Sequence, residues 1–581
     1  MRRYSKDAAE VAELLEGLPD QEAMAGAFSE AVMSASTGFS AAVVATCEGQ
    51  VVGYATFTLD VEVGPLAACF ALGDNVALDA HAADGFAKLD ECVMNPIFAH
   101  RRRLVMLEAM RVTGKTCVLY QLAPGGDQPT PPDVVHADFQ LVAGRRSHTG
   151  FEAHFALFVF TARISAAPRV AVNSRVVVVG ATEAALAVVE RLLTCPGCAF
   201  NSVTLVASGG LNVGGPASVY NRASLAKLAL EGGGGGGGAG GVAVVENAVV
   251  GLDRAACQVF LDDDTVLPYE VLVLASGMQD QTRWRLGAAP DLPVERLSDL
   301  AANLTLQEAG ELQSVIVYGG TLEALGGVRT LLNRGVRPEA IRVVTPPPTG
   351  APGTGVPALA ASAAGNIGGS VAWHMIAVQG QAKARGDLRL VGAESCDAGV
   401  RATFEGPCDA GDGGVVTMEA DFLVACDEGD VDPAIFRCLN DAGIVYDGHV
   451  VIDAAFRTND PNVYATGSIA KFSRRYGKGV LPLKYHDARE AGFKLADSLI
   501  GAATGAPAAT AAPSLTSPLA VSVILPGKFQ FLYVAAPACF VNPTFEHPAG
   551  GRSLVTKDDA FCRLVRRCRL TLQTHDESAC N

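Results

Sequence analysis

Two separate stretches of this chain share one strand-turn-helix pattern, and this pattern limits the possible folds more than any other feature. The first runs from Arg175 to Ala185 (RVVVVGATEAA), and the second runs from Ser314 to Ala324 (SVIVYGGTLEA). Each places G-x-T-x-x-A directly after an apolar strand, where a dinucleotide-binding turn has G-x-G-x-x-G. The repeated pattern predicts two doubly wound α/β units in one chain.

The substitutions in this pattern bear on ligand binding. The middle glycine lets the backbone approach a pyrophosphate, and the last small residue lets the helix pack closely on the strand. Alanine satisfies the second requirement, whereas threonine puts a branched side chain where the phosphate would lie. We therefore expect the fold without a bound cofactor, and we regard these positions as vestigial: Gly180, Thr182, Ala185, Gly319, Thr321 and Ala324.

Charge and hydropathy exclude two classes of partner. The 581 residues include 61 acidic and 45 basic side chains, which gives a net charge of -16. Such a chain repels a phosphate backbone, so nucleic acid is not expected as a partner. No apolar run is long enough to cross a bilayer without interruption by charge, proline or glycine, so no membrane partner is expected either.

The 15 cysteines follow no repeating frame, which is typical of free thiols in a reducing compartment. Cys195 and Cys198 have the spacing of a redox pair, but they follow a helix instead of opening one. Buried or loop thiols without a redox role are the expected interpretation. No catalytic residue and no metal site is predicted from the sequence.

The residues before the first turn have a different organisation. Two β-prone runs, 41–47 and 51–59, flank Glu48-Gly49-Gln50 and predict a hairpin. A further strand from Phe86 to Met94 is followed by a helix near 104–113 and a strand from Thr116 to Gln121. This order resembles the GCN5-related N-acetyltransferase family.

In that family the loop after the central strand carries (Gln/Arg)-x-x-Gly-x-(Gly/Ala), whose amides hold the coenzyme A pyrophosphate. The three positions fall here on Ala99, Arg102 and Leu104, so neither glycine is present and acetyl transfer is not expected. The run from Arg101 to Arg103 leaves two interpretations open, a phosphate-binding patch or a solvated face.

From Asn173 onward the chain resembles the two-dinucleotide-domain flavoprotein oxidoreductases. The run from Thr458 to Ser468 (TNDPNVYATGS) is similar to the closing flavin motif of that family, with Gly467 kept and Ser468 in the place of an aspartate. An acidic ribose ligand is expected after the second strand, where Ser208 or Gly209 stands. The resemblance implies FAD and NAD(P) as cofactors, but these replacements make both unexpected here.

The fold class expected from these observations is α/β. An N-terminal acetyltransferase-like domain precedes a Rossmann-type region that resembles a two-dinucleotide-domain flavoprotein oxidoreductase, with the second domain nested in the first. Low-complexity stretches at 232–241, 346–357 and 501–518 mark joints between elements. The predicted divisions are an acetyltransferase-like domain at 1–165, an FAD-binding-like domain beginning at 166–310, a nested NAD(P)-binding-like domain at 311–435, the closing part of the FAD-binding-like domain at 436–500, and a linker with a C-terminal segment at 501–581.

Several longer strings resemble the C-terminal half of the cilia- and flagella-associated protein 61 family. They include VMNPIF from Val93, TLLNRGV from Thr330 and ATGSIAKFS from Ala465, and the resemblance covers most of the chain from Phe86 to Ser473. It implies a scaffold subunit of the axoneme, in the calmodulin- and spoke-associated complex at the base of radial spokes. The implied partners are cilia- and flagella-associated proteins 91 and 251, calmodulin, radial spoke proteins and the doublet microtubule.

Two alternatives stay open at this stage. One is an oxidoreductase dependent on FAD or NAD(P), and the other is a catalytically silent nucleotide sensor. Candidate interfaces are the aromatic run from Phe529 to Tyr533 and the basic run from Lys471 to Lys478. The segment from Phe561 to Leu570 has the charge of a calmodulin target, but its pattern fits a helix or a strand.

Overall fold

The structure is a computed structural model. It describes residues 4–18, 21–35, 38–122, 133–144, 155–166, 170–195, 197–208, 242–287, 292–296, 311–319, 322–347, 383–385, 388–397, 399–406, 414–426, 429–476, 482–507, 511–517, 519–524, 530–535, 553–558 and 561–566. Within these ranges no helix is both long and apolar enough to cross a bilayer.

The N-terminal domain is a six-stranded sheet with helices on both faces. Its helices are α1 (Tyr4–Leu14), α2 (Gln21–Ser34), α3 (Val63–Cys69), α4 (Arg102–Thr113), α5 (Asp133–Asp138) and α6 (Ala162–Ala166). Its strands are β1 (Ser40–Cys47), β2 (Gln50–Thr58), β3 (Phe86–Met94), β4 (Cys117–Leu122), β5 (Gln140–Leu141) and β6 (Ala156–Thr161). The strand order is β1-β2-β3-β4-β6-β5.

The predicted hairpin is present, because Glu48 and Gly49 both adopt positive φ between β1 and β2. β3 and β4 run parallel and pair only from Phe86 to Lys88, so the two strands diverge beyond that point. α4 lies between them in sequence and buries Met106, Ala109 and Met110 against the sheet. The acetyltransferase-like character of this domain stays a prediction.

The next domain is built on a five-stranded parallel sheet. Its elements before the nested domain are β7 (Val170–Val172), β8 (Val176–Val179), α7 (Glu183–Leu193), β9 (Cys198–Phe200), β10 (Val203–Val206), β11 (Val242–Val245), β12 (Val249–Asp253), β13 (Gln258–Leu261), β14 (Val266–Pro268), β15 (Val271–Leu274), β16 (Gln279–Asp280) and α8 (Thr282–Arg285). All four valines of β8 are buried, which is typical of a central parallel strand covered on both faces.

The nested domain repeats this plan with a second parallel sheet. Its elements are β17 (Val294–Arg296), β18 (Val315–Tyr318), α9 (Leu322–Asn333), β19 (Ile341–Val344), β20 (Lys383–Arg385), β21 (Arg389–Cys396), β22 (Gly399–Glu405), β23 (Val415–Ala420), β24 (Phe422–Ala425) and β25 (Gly429–Asp430). The parallel order is β17-β24-β18-β19-β20, and β21, β22 and β23 form an antiparallel sheet. β17 belongs to this sheet although it precedes residue 311.

The chain then returns to the first parallel sheet. The returning elements are α10 (Pro433–Asp441), β26 (Val450–Ile452), β27 (Val463–Ala465), β28 (Ala470–Phe472) and α11 (Ala488–Ala503). β27 completes the sheet order β11-β10-β8-β15-β27. α11 ends at Ala503, so it extends three residues beyond the predicted boundary at position 500 and into the alanine-rich stretch.

Four strands follow, β29 (Leu519–Ile524), β30 (Gln530–Ala535), β31 (Ser553–Asp558) and β32 (Phe561–Arg566). They form one sheet in the order β29-β30-β32-β31. The C-terminal segment therefore contains regular structure, and its aromatic run falls largely in β30. The described part of the segment from Phe561 is a strand and not a helix, which removes the motive for a calmodulin-target helix at residues 561–566.

Candidate functional site

The candidate site lies at the carboxyl ends of β8, β15 and β27, where a doubly wound sheet places its ligand crevice. Gly180 follows β8, and its amide donates a hydrogen bond to the carbonyl of Val206 at 2.7 Å. A Cβ added at Gly180 would lie 2.5 Å from Cα of Ser276, and its φ is +106°. Glycine is therefore required here by the neighbouring strand, whether or not a ligand binds.

Thr182 occupies the gap between the ends of these strands. Its hydroxyl donates a hydrogen bond to the carbonyl of Ala275 at 2.7 Å and accepts one from the amide of Ala185 at 3.3 Å. It is the N-cap of α7, so its oxygen satisfies one of the free amides at this helix end. The same amides would otherwise be available to bind a phosphate.

The methyl group of Thr182 fills further space between the ends of these strands. A Cβ added at Gly277 would lie 2.8 Å from Cγ2 of Thr182 and 3.4 Å from Oγ of Ser468. A Cβ at Gly467 would lie 3.0 Å from the Cβ of Ala184, and Gly467 has φ +73°. Three segments that are distant in sequence thus meet in what we call the first glycine turn: Gly180, Thr182, Gly277, Gly467 and Ser468.

The second glycine turn follows β18 in the nested domain. The amide of Gly319 donates to the carbonyl of Val344 at 3.0 Å, and a Cβ at Gly319 would overlap the carbonyl oxygen of Cys426. Ala324 is buried in α9, as close helix packing requires. Thr321 lies outside the described residues, so its contacts are not part of this comparison.

The first glycine turn does not fit a pyrophosphate. The threonine side chain fills the close-approach position, and none of the five residues supplies a carboxylate, an imidazole, a thiol or a cation. Two neutral hydroxyl groups, from Thr182 and Ser468, are the reactive atoms present. The geometry provides no general base for hydride or acyl chemistry at this turn.

Two other hydroxyl groups lie near the same strand ends. Ser276 follows β15 and Thr466 follows β27, and the oxygen atom of each side chain is buried without a hydrogen-bond partner among the described residues. Buried hydroxyl groups usually have a partner, so these two are the polar atoms of this edge that a small molecule could satisfy.

The three side chains of the arginine run each contact a different partner, and these partners are neutral or acidic. Arg102 forms an ion pair with Asp138 at 3.0 Å, Arg103 donates to Oγ of Ser165 at 2.5 Å, and Arg101 donates to Nε2 of His100 at 3.0 Å. The three guanidinium groups do not converge on one point. Of the two open interpretations, the structure favours a solvated face.

At the same loop, Ala99 stands at the Gln/Arg position of the coenzyme A motif and Leu104 at its Gly/Ala position, and they do not form a cradle. Ala99 lies in the 3-10 helix Pro96–Arg101, and its carbonyl accepts a hydrogen bond from Nη1 of Arg102 at 3.1 Å. The side chain of Leu104 is exposed on α4. This arrangement gives no support to coenzyme A binding.

Cys195 and Cys198 are both buried free thiols between α7 and β9. Burial raises the pKa of the Cys198 thiol, and the neighbouring Cys195 raises it further. A redox-active cysteine needs a lowered pKa and access to solvent, so this environment is that of an inert pair.

The sequence did not reveal the contacts that join the domains. Nη2 of Arg489, on α11, donates to Glu190 on α7 at 3.0 Å and to the carbonyl of Gly144 in the N-terminal domain at 2.6 Å. Nε of Arg254 donates to Asp460 at 2.7 Å. No local motif signals these pairs, because each joins residues separated by about 200 positions or more; only a covariation signal between distant positions could have found them.

The basic run from Lys471 is largely neutralised locally. Lys471 and Arg474 both pair with Asp447, at 2.9 Å and 3.1 Å, which lowers the pKa of that carboxyl group. Arg475 lies over the ring of Tyr476, 4.7 Å from its centroid. Over its described part, 471–476, this run is thus less available as an interface than its sequence indicates.

Among the described residues, no group of three His, Cys, Asp or Glu side chains is arranged to hold a metal ion. Two half-buried histidines have perturbed pKa values. Burial lowers the pKa of His449 to about 4, with Lys484 and Lys471 adding to the effect, and burial lowers the pKa of His486. Neither ring belongs to the first glycine turn.

Fold and site together define a chain with two Rossmann-type units, one nested in the other, whose first ligand turn is closed by a threonine. No family model matches this chain. Its sequence is 22% identical over 664 aligned residues to Cilia- and flagella-associated protein 61 of Tetrahymena thermophila, with 84% of this chain and 38% of the relative aligned. The resemblance predicted from the sequence is confirmed, and it supports a ciliary or flagellar location.

The chain thus spans less than half of the length of this relative. Solved structures with a similar arrangement include a ferredoxin reductase from Rhodopseudomonas palustris, 17% identical, with a TM-score of 0.39 over 61% of this chain and 84% of that one. A second is an NAD-dependent persulfide reductase from A. fulgidus, 18% identical, with a TM-score of 0.40 over 60% of this chain and 64% of that one. The fold assignment itself rests on the strand order described above.

Proposed function

We propose that this chain is a structural scaffold subunit of the ciliary or flagellar axoneme, without catalytic activity. Its proposed place is the calmodulin- and spoke-associated complex at the base of radial spokes, where it supports spoke assembly and ciliary motility. The proposed partners are cilia- and flagella-associated proteins 91 and 251, calmodulin, radial spoke proteins and the doublet microtubule. The similarity to a cilia- and flagella-associated protein supports the location.

The closure of the first glycine turn is the observation that carries the non-enzymatic part of the proposal. Thr182 binds the Ala275 carbonyl and caps α7 with the same hydroxyl, so it serves the fold at the position where a cofactor would need space. An enzyme of this fold would need that position open, because its phosphate contacts are made by backbone amides. A scaffold has no such requirement.

Contacts between distant segments support a rigid scaffold. Arg489 joins α11, α7 and the N-terminal domain through one guanidinium group, and its partner Glu190 is buried. Glu490 accepts hydrogen bonds from the amides of Thr516 at 2.9 Å and Ser517 at 2.8 Å, which fixes the segment after α11. Such connections hold surfaces of separate domains in one geometry, which is what a subunit between several partners needs.

The test is an absorbance scan of the purified native chain, followed by thermal denaturation with FAD, NADH and NADPH. We expect no flavin absorbance and no shift of Tm for the native chain. Thr182→Gly is the informative variant, because it removes the side chain that fills the turn. Stoichiometric flavin in the native chain, or a Tm increase of several degrees with any of the three nucleotides, would reject the scaffold proposal.

A catalytically silent nucleotide sensor is the second candidate. The buried hydroxyl groups of Ser276 and Thr466 favour it, because a ribose or an amide could provide their missing partners. This function requires a Tm increase with ADP or FAD in the native chain without turnover. The increase must disappear in Ser276→Ala and Thr466→Val, which remove the hydroxyl group; Val also keeps the branched shape of Thr.

A further inference from the structure

The outer surface of the N-terminal domain carries large apolar side chains on one helical rod. The rod consists of the 3-10 helix Pro96–Arg101 and α4, which follow each other without a break. Ile97 is 77% exposed, Leu104 is 55% exposed and Val112 is 64% exposed. The opposite side of α4 packs on the sheet, so these side chains are not needed for the core.

The exposed residues follow helical spacing. Positions 101, 104, 108, 111 and 112 recur at intervals of three or four, apart from the adjacent pair at the end, so they lie along one outward face of α4, and Ile97 is exposed on the 3-10 helix that precedes it. From position 97 to position 112 this face is about 25 Å long. We call it the α4 ridge, and its members are Ile97, Arg101, Leu104, Glu108, Arg111 and Val112.

The charge of the ridge is opposite to that of the chain. Glu108 is neutralised by Arg111 at 2.7 Å, so this acid does not offset the other cations. Arg101 donates to a histidine ring, and the adjacent Arg103 donates to a serine hydroxyl. Arg101 and Arg103 therefore leave positive charge beside the apolar residues, on a chain with a net charge of -16.

A further exposed aromatic residue is connected by hydrogen bonds to Lys115, which follows the C-cap of α4. Nζ of Lys115 donates to the carbonyl of Leu59 at 2.8 Å, and the amide of Leu59 donates to the carbonyl of Phe39 at 2.8 Å. Two successive hydrogen bonds thus bring Phe39 near the C-terminal end of α4, and Phe39 is 61% exposed. An interface centred on Leu104 would have apolar contacts at both ends of the rod.

We propose that the α4 ridge docks an acidic amphipathic helix of another protein. Apolar residues on that helix would pack beside Ile97, Leu104 and Val112, and its Asp or Glu residues would meet Arg101 and Arg103. Charge complementarity of this kind sets specificity and association rate, and the central apolar residue supplies most of the binding energy. The inference rests on the exposure and charge of the residues in the α4 ridge, and it does not depend on the cellular location of the chain.

Other occupants fit less well. A nucleic acid would meet the strong negative charge of the rest of the chain. An anionic membrane needs more inserted apolar area than three side chains provide.

The test is site-specific photo-crosslinking in the cells from which the chain derives. A photoreactive amino acid replaces Leu104 in the full chain, and the same amino acid at Val415, an exposed valine of β23, is the matched control. Crosslinked peptides are sequenced by mass spectrometry. We expect an acidic helical segment of another protein from position 104 and not from position 415, and we expect Arg101→Glu with Arg103→Glu to abolish that crosslink.

A synthetic peptide of the crosslinked segment then gives the affinity by fluorescence anisotropy. Leu104→Glu should weaken its binding about tenfold or more, whereas Val415→Glu should leave it unchanged. Circular dichroism melts of both variants check that folding is intact, which is expected because both side chains are exposed. Crosslinks to a second copy of this chain, to lipid, to nucleic acid, to a basic segment or to nothing would each overturn the proposal.

Discussion

The two Rossmann-type units use a glycine in the same way after their first strand of the motif, but their following helices are covered differently. In the first, Gly180 donates to Val206 and would clash with Ser276; in the second, Gly319 donates to Val344 and would clash with Cys426. The helices then diverge. α7 is buried on nearly all sides because α11 covers it, whereas α9 shows a buried face and a partly exposed one.

This difference separates what the fold requires from what a ligand requires. Both glycines are kept because a neighbouring strand end leaves no room for a side chain, which is a requirement of the sheet itself. Thr182 is compatible with the first unit because it binds the strand end and caps the helix, so the turn remains ordered without a phosphate. The first glycine of the motif therefore indicates the fold, and the residue at the middle-glycine position indicates whether a ligand can enter.

The largest expected effect comes from filling either glycine turn. Gly180→Ala and Gly319→Ala should each lower the free energy of unfolding by about 3 kcal/mol or more, because the added Cβ meets backbone atoms and φ is unfavourable. Gly505→Ala is the control, since it has φ +75° but nothing within 4 Å; it should cost about 1 kcal/mol. Urea unfolding measures all three. A cost for Gly180→Ala no greater than that of the control would show that the two turns are not equivalent.

The second effect tests the extra helix layer of the first unit. Glu190→Gln should destabilise the chain by about 3 kcal/mol, because it removes the carboxylate of an ion pair in a mostly buried site. Asp497→Asn breaks the neighbouring exposed pair with Arg191 on the same two helices and should cost less than about 1 kcal/mol. The comparison is made by chemical denaturation, and similar costs for both variants would remove the burial argument.

Thr182 gives the third effect. Thr182→Val keeps the branched shape but removes both hydrogen bonds of the hydroxyl group, with an expected cost of about 1 to 2 kcal/mol. Thr182→Ser retains the hydroxyl group and should lose less than about 1 kcal/mol. Thermal denaturation at one pH distinguishes them. Equal stability of the valine and serine variants would mean that Thr182 fills space without capping α7.

The fourth prediction concerns His449, in the closing part that only the first unit has. Its pKa falls from 6.5 in the unfolded chain to about 4 in the folded chain. Between these values the unfolded chain binds a proton that the folded chain does not, so stability should fall as the pH falls from about 6.5 towards 4. His449→Gln should make the urea midpoint less dependent on pH in this window. An unchanged pH dependence would assign it to other groups, with His486 the next to test.

The sequence predicted the elements that depend on local pattern. The valine run of β8, the hairpin at Glu48-Gly49 and the strand from Phe86 to Met94 are read from neighbouring residues, and the structure has them. Local chemistry and topology were sufficient for these features.

Other features depend on tertiary contacts and left no local signal. The threonine in the turn was expected to obstruct a phosphate, but its bond to Ala275 requires knowing which strand end lies opposite. The Arg489 and Arg254 pairs join residues far apart in sequence. The arginine run was ambiguous for the same reason, because the partners of Arg102 and Arg103 lie on α5 and α6.

The pairing of β27 with β15 has a consequence for the order in which the chain folds during synthesis. Every strand of the nested sheet has been synthesised by residue 425. The outer sheet is complete only after β27 has been synthesised, and its covering helix α11 follows later still. Domains generally fold as units while the chain emerges, N-terminal parts first. Here the inner domain is complete before the outer one, so the unfinished outer sheet exposes one edge of β15 until the last third of the first unit arrives.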